Sequence, residues 1–199
     1  MDDAWNAFDE GYLSAHKWAE ALAGGAPLPV EQVPIRLEPD EVAHAHLAPV
    51  TVLAYVAENK QYPPALFVFG GPLTLAVTGA VAIGRDAAWR GEAQRAVTPR
   101  WHRLGTVDLV VTDRRLVATG QGKTASVAYT LLGPSQLVPG ADGGPSVQVQ
   151  PSGQPALQLE SPWSPLLYVF MHQLADGRPA PLPMPPAVVE RARAEGRLS

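Results

Sequence analysis

The sequence predicts an α+β fold in which one antiparallel sheet is followed by a helix. Short runs of alternating apolar and polar residues recur over residues 105–160, and glycines and prolines separate these runs. An amphipathic pattern with steps of three and four follows at residues 161–177. Alternation with a period of two is typical of half-buried strands, and the longer steps are typical of helices. We therefore expect one sheet domain, spanning residues 41–177, with appended helices.

The composition restricts the class of protein. Hydrophobic residues make up 46% of the chain and charged residues 17%, which excludes wholesale disorder. There is no cysteine, so disulfides, thiolate catalysis and cysteine-based zinc sites are excluded together. No basic segment followed by an apolar core opens the sequence, and we therefore expect a cytoplasmic protein.

The net charge of −4 is unevenly distributed. Residues 1–60 carry three basic and ten acidic side chains, whereas the remainder carries twelve basic and nine acidic ones. Neither part has the concentrated positive charge that binding to nucleic acid requires. We therefore expect no nucleic-acid partner.

The N-terminal segment, residues 1–24, predicts an amphipathic helix that Gly24 and Gly25 end. The Pro/Gly-rich residues 25–40 that follow predict a flexible linker. The aromatic residues of the helix either pack on their own domain or form an interaction surface for a partner or a second copy. The apolar stripe consists of Trp5, Phe8, Tyr12, Ala15, Ala19 and Leu22.

The sheet domain begins with an apolar, β-branched run over residues 41–58. It predicts one or two strands, bent at Pro49 because proline lacks the N–H that a central ladder needs. His44 and His46 lie two residues apart and so share one face of a strand, a spacing that can hold a metal. Since no third ligand has a supporting pattern, we predict no metal site.

An uncharged segment follows that first strand region. Residues 65–84 could cross a bilayer at about 1.5 Å per residue, but Gly70, Gly71 and Pro72 interrupt them. We therefore favour a central helix over residues 72–97, with Pro72 in its first turn. The alternative is a membrane-associated protein that this segment holds at the cytoplasmic face of the membrane.

The hairpin at residues 109–117 carries the strongest local signal. Two apolar runs flank a polar turn in which Asp113 can bond its own backbone and Arg114 and Arg115 stay solvated. Further strands are predicted at 124–132, 137–138, 147–149 and 157–159, and a helix at 161–177. Residues 178–199 predict a proline-rich tail with a short, peripheral helix.

The run Val-Thr-Asp-Arg-Arg-Leu-Val at residues 111–117 resembles the hairpin of bacterial PH-like and GRAM-like domains, and the resemblance covers about residues 100–175. It implies a bent sheet or partly open barrel closed by a C-terminal helix. It also implies binding of peptides or lipid head groups through loops. Arg114 and Arg115 match the family's Arg-Arg pair and are candidate interaction residues. No loop gathers the several basic residues that phosphoinositide recognition requires, so we expect a protein partner rather than membrane lipid.

The sequence contains no convincing motif for catalysis or nucleotide binding. The run at residues 120–124 looks like the end of a phosphate-binding loop, but Val117 stands where a glycine is required, and a strand is predicted to follow. Gly-x-Ser-x-Gly and His-Glu-x-x-His motifs do not occur. We therefore expect a non-catalytic interaction or adaptor module that binds a protein partner or self-associates. We expect no cofactor and no small-molecule substrate, and an enzyme with a dispersed site is the weakest alternative.

Overall fold

The structure is a computed structural model that describes residues 5–56, 99–120, 122–152 and 154–198. The predicted helix at 72–97 and the alternative membrane segment at 65–84 lie outside the described residues. Within them, no helix is long and apolar enough to cross a bilayer. The described helices are α1 (Ala7–Ala23), α2 (Tyr129–Leu132), α3 (Ser164–Asp176) and α4 (Pro186–Ala194). The described strands are β1 (Ala43–Val56), β2 (Arg100–Thr112), β3 (Arg115–Gly120), β4 (Lys123–Ala128), β5 (Ser135–Pro139), β6 (Pro145–Val149) and β7 (Leu157–Glu160).

All seven strands form one open antiparallel sheet in the order β4-β3-β2-β1-β7-β6-β5, which confirms the α+β class. The central strand β1 pairs with β2 along most of its length and with β7 over residues 51–54. Its register with β2 shifts between Leu47 and Val50. The shift falls at Pro49, where the sequence predicted a bend, because proline has no N–H to give the ladder.

The predicted hairpin is confirmed as the β2–β3 turn. The Thr112 hydroxyl oxygen accepts the N–H groups of Arg114 and Arg115 at 3.2 and 3.0 Å. Asp113 does more than start the turn. Its N–H donates to Val42 O at 2.9 Å and its carboxylate accepts the Val42 N–H at 3.0 Å. The turn therefore also fixes the chain that enters β1.

The strand predicted over residues 124–132 is wrong in its second half. Strand β4 ends at Ala128, and residues 129–132 form the single helical turn α2. The Tyr129 hydroxyl donates to Thr112 O at 2.6 Å, which draws the chain across the sheet. Gly133 then adopts φ of 64°, and a Cβ there would lie 2.2 Å from Gln150 O. Only glycine suits that backbone and that contact.

The main core lies between one face of the sheet and the helices α1 and α3. Phe170 of α3 is 1% exposed, and Trp18 of α1 meets it edge to face with ring centroids 5.6 Å apart. The two helices are seated closely because Gly11 of α1 faces the backbone of Pro162, where an added Cβ would lie 1.9 Å from the carbonyl oxygen. The helix predicted at 161–177 is thus confirmed as the main helical cover of the sheet.

The linker predicted at residues 25–40 is held on the sheet. Val33, Ile35 and Leu37 alternate along it and pack against Val110 and Val117, on the sheet face opposite the main core. Partial burial of three apolar side chains offsets the entropy that a free chain would keep. The segment predicted as a flexible linker therefore lies against the sheet over residues 33–37.

The C-terminal helix α4 is not peripheral. It buries Val188 and Ala192 against Leu13 of α1. Leu13 lies outside the predicted stripe, so α1 has a second apolar side. That side seats the C-terminal helix, while Ala15, Trp18 and Leu22 face the main core.

Candidate functional site

An open cleft of about 430 Å³ lies between α1, the start of β1 and the N-terminal end of α3. We call it the α1–β1 cleft. Four separated stretches of chain supply its walls, namely α1, the segment 29–31, β1 and α3. The lining residues are Trp18, Pro29, Val30, Glu31, His44, Ala45, His46, Leu47, Ala48, Trp163, Leu166 and Phe170.

The helix side of the cleft is apolar. Trp163, Leu166 and Phe170 recur at steps of three and four and therefore share one side of α3. Phe170 is buried, whereas Trp163, Leu166 and Trp18 keep part of their surface in solvent. At the rim, Val30 is 79% exposed. The helix side of the cleft therefore offers partly exposed apolar surface from Trp18, Trp163 and Leu166.

The strand side of the cleft is polar. His44 Nδ1 lies 2.6 Å from Pro29 O and donates to it, since a carbonyl only accepts. The Glu31 carboxylate accepts the His46 N–H at 3.0 Å. His46 Nε2 is buried and has no hydrogen-bond partner among the described residues. Buried polar atoms are normally paired, so this nitrogen is an exception on the strand side of the cleft.

The electrostatic character of the α1–β1 cleft is acidic. Glu31 lines it, and none of its twelve lining residues is Lys or Arg. The cleft therefore suits an apolar group with positive charge beside it.

The two histidines predicted to share a strand face both line this cleft. In residues 5–56, 99–120, 122–152 and 154–198, no three His, Asp or Glu side chains gather as a metal site would require. His44 Nδ1 donates to the carbonyl of Pro29, which fixes the orientation of the His44 ring.

Arg115, predicted as an interaction residue, is held by a buried carboxylate. Its guanidinium donates to Glu41 through Nε at 2.9 Å and Nη2 at 2.8 Å, a bidentate pair. The Glu41 carboxylate also accepts from Thr112 Oγ1 at 2.8 Å and from the Glu38 N–H at 2.9 Å. Burial alone would raise the pKa of Glu41, but these hydrogen bonds and the charge of Arg115 lower it to about 2. The Glu41–Arg115 pair therefore holds the chain just before β1 against the β2–β3 hairpin.

The neighbouring Arg114 stays at the surface, with a side chain that is 46% exposed. Its guanidinium lies 3.8 Å from the Glu38 carboxylate and 3.9 Å from that of Asp113. Pairs this long and exposed contribute little to stability. Of the two predicted arginines, Arg114 is the one a partner could reach.

The aromatic residues predicted as an interaction surface are placed around α1. The guanidinium groups of Arg191 and Arg197 lie over the Trp5 ring, at 4.5 and 4.4 Å from its centre, in a cation–π arrangement. Tyr12 packs in the same small cluster as α4. Phe8 is 38% exposed and its ring covers Gly144, where an added Cβ would lie 2.6 Å from it. Trp5 and Tyr12 therefore share the α4 cluster, whereas Phe8 faces Gly144. The two hairpin arginines lie instead beside Glu38 and Glu41.

A second pocket, of about 210 Å³, lies between the start of β5 and α3, and we call it the β5–α3 pocket. Ser135 Oγ lies 3.0 Å from His172 Nε2, and Asp176 Oδ2 lies 2.8 Å from His172 Nδ1. The sequence alone did not predict that these three side chains meet. The four-residue spacing of His172 and Asp176 in a predicted helix could have shown that they share a face. Ser135 could not have been linked to them, because it is on a strand 37 residues away.

Comparison of the sequence with protein-family models finds no matching family, and comparison with curated proteins finds no matching relative.

Proposed function

We propose that the protein is an interaction module of PH/GRAM-like type that binds an extended segment of a protein partner in the α1–β1 cleft. Seven antiparallel strands followed by a closing helix support the family resemblance of the hairpin. The observation that carries the proposal is the cleft itself. Its volume of about 430 Å³ falls within the range of roughly 300–1,000 Å³ that ligand sites occupy.

The chemistry of the walls indicates the kind of segment that binds. Trp18, Trp163 and Leu166 offer partly exposed apolar surface for one large apolar anchor. The Glu31 carboxylate favours Lys or Arg beside that anchor. Because the exposed Val30 leaves the rim open, a chain can pass along the cleft rather than end in it.

A displayed library of random peptides, selected on the purified folded protein, tests the proposal. We expect enriched peptides to carry one large apolar residue flanked by basic residues. Val30→Lys should weaken their binding at least tenfold, or about 1.4 kcal/mol, because it replaces apolar surface with a charge that repels basic residues. Leu131→Lys is the matched control, because Leu131 is a 50% exposed apolar residue that does not line the cleft.

Two results would contradict the proposal. One is that no peptide is enriched on the wild type above the Val30→Lys background. The other is that peptides are enriched but bind the wild type and Val30→Lys equally well. Light scattering on the same samples distinguishes self-association. A dimer that Val30→Lys dissociates and Leu131→Lys does not, without any enriched peptide, would assign the cleft to a second copy of the chain.

A further inference from the structure

The β5–α3 pocket holds three polar side chains in one line. Ser135 begins β5, directly after Gly133 and Pro134, and its hydroxyl reaches His172 on α3. Asp176 lies one helical turn beyond His172 and meets the other ring nitrogen. The His172 side chain is 23% exposed and that of Asp176 is 51% exposed. The histidine is therefore sheltered and its carboxylate partner faces solvent.

The proton positions follow from the partners. An ionised carboxylate only accepts hydrogen bonds, so His172 Nδ1 carries a hydrogen and donates it to Asp176. In the neutral ring, Nε2 is then an acceptor. The Ser135 hydroxyl must donate to it across the 3.0 Å separation. The hydroxyl hydrogen of Ser135 thus points at a base whose tautomer Asp176 fixes, which is the relation that activates a serine nucleophile.

We propose that Ser135 is a nucleophile for small esters or thioesters, with His172 as its general base and Asp176 as the residue that positions the imidazole. The pocket volume of about 210 Å³ is below the usual size of ligand sites, which limits the acyl group to a short one. Leu132, Met171 and Ala175 supply the apolar walls for that group. Tyr129, also on the wall, stays protonated because burial raises its pKa.

The chemistry balances without any cofactor. Ser135 Oγ attacks the acyl carbon while its proton passes to His172 Nε2. The tetrahedral intermediate then collapses, its bond to the alcohol or thiol breaks, and the leaving group takes the proton from His172. A water molecule, deprotonated by the same nitrogen, attacks the acyl-serine. The carboxylic acid leaves and Ser135 regains its proton.

The sheet also supplies a donor for the developing oxyanion. Gly140 N–H donates to Gly144 O at 2.7 Å, which fixes the alternation of the β5–β6 ladder. In that alternation Ser135 and Val149 form a pair without mutual hydrogen bonds. The Ser135 N–H therefore points away from β6 toward the open edge of the sheet, and a donor on the nucleophile's own residue is a recurrent part of oxyanion holes.

This site is independent of the α1–β1 cleft. On α3, Leu166 and Phe170 face that cleft, whereas the 3.6-residue period turns His172 and Ala175 to the other side. A variant in one pocket leaves the walls of the other intact. The two proposals can therefore fail separately.

Labelling with a fluorophosphonate, which phosphonylates activated serines, tests this inference in the full chain. We expect the intact mass to rise by one adduct and peptide mapping to place it on Ser135. Ser135→Ala should abolish the labelling, and His172→Gln should slow it by about 10²- to 10⁴-fold, the usual contribution of a general base. Asp176→Asn should shift the pH dependence of labelling, a readout that a purely structural hydrogen bond would not change. Ser152→Ala, at an exposed serine on a turn, is the matched control.

Circular dichroism and melting curves confirm that each variant is folded before its rate is compared. One overturning result is a wild type that is labelled no faster than heat-unfolded protein. The other is an adduct on Ser135 whose rate of formation is the same in folded His172→Gln. Either result would mean that the three side chains only hold β5 and α3 together by hydrogen bonds. Hydrolysis of p-nitrophenyl acetate that Ser135→Ala abolishes would identify the acyl-transfer step itself.

Discussion

Replacing Glu41 by Gln should make the protein less stable at neutral pH but not in acid. The Glu41 side chain is fully buried and paired with Arg115, and its pKa is lowered from an ordinary value near 4.5 to about 2. Because the pKa of Glu41 is lower in the folded state than in the unfolded state, its ionised carboxylate stabilises the fold. This stability is fully present above pH 4.5 and is lost as the pH falls through 2. The gap of about 2.5 pH units corresponds to about 3 kcal/mol at pH 7.

The size of this loss follows from the contacts that remain. Glu41→Gln keeps the shape of the side chain and removes its charge. Arg115 then keeps the Glu38 carboxylate, which lies 3.0 Å from its Nη1. The loss in free energy of unfolding should therefore stay near the roughly 3 kcal/mol that corresponds to the lowered pKa. This is the lower end of the roughly 3–5 kcal/mol that breaking a buried ion pair costs.

Urea unfolding at pH 7, 5, 3 and 2 provides the measurement. We expect the free energies of unfolding of wild type and Glu41→Gln to differ by about 3 kcal/mol at pH 7 and to converge toward pH 2. Glu190→Gln, which removes an exposed carboxylate of α4, is the control and should follow the wild type throughout. A difference in free energy of unfolding between wild type and Glu41→Gln that stays constant from pH 7 to pH 2 would show that the ionisation of Glu41 does not stabilise the fold.

Two further predictions concern the packing of the helices. Phe170→Ala should lower the free energy of unfolding by about 3–5 kcal/mol, because it empties a fully buried site against Trp18; an unchanged denaturation midpoint would mean that α3 is not core. Gly11→Ala should destabilise the protein although alanine favours a helix by about 1 kcal/mol, since the new Cβ would meet Pro162 O. Lys17→Ala, on the exposed side of the same helix, should show no such loss in the same unfolding experiment, and a stabilising Gly11→Ala would contradict the close seating of α1.

The sequence predicted the parts of the fold that local patterns encode. The turn at Asp113, the alternating strands and the helix ending at Gly177 each follow from neighbours in the chain, and all three are present. The helical turn α2 was missed because its apolar residues continue the alternation of β4, and only the contact of Tyr129 with Thr112 breaks it. Tertiary contacts override such weak local preferences.

The candidate sites were harder to predict because they depend on distant contacts. His44 and His46 were singled out as a pair, but the indoles that make their surroundings a cleft belong to two other elements. The held linker could have been recognised from the alternation of Val33, Ile35 and Leu37, a strand-like period inside a proline-rich segment. For Ser135 the sequence holds no local signal.

A map of where a selected peptide binds would show most directly whether the α1–β1 cleft is the binding site. Backbone and indole N–H resonances of the ¹⁵N-labelled protein would be followed by NMR while the peptide is added. We expect the shifts to concentrate in the segments 29–31 and 44–48 and in the indoles of Trp18 and Trp163. Shifts confined to the hairpin tip at residues 113–115, with both indoles unchanged, would contradict it.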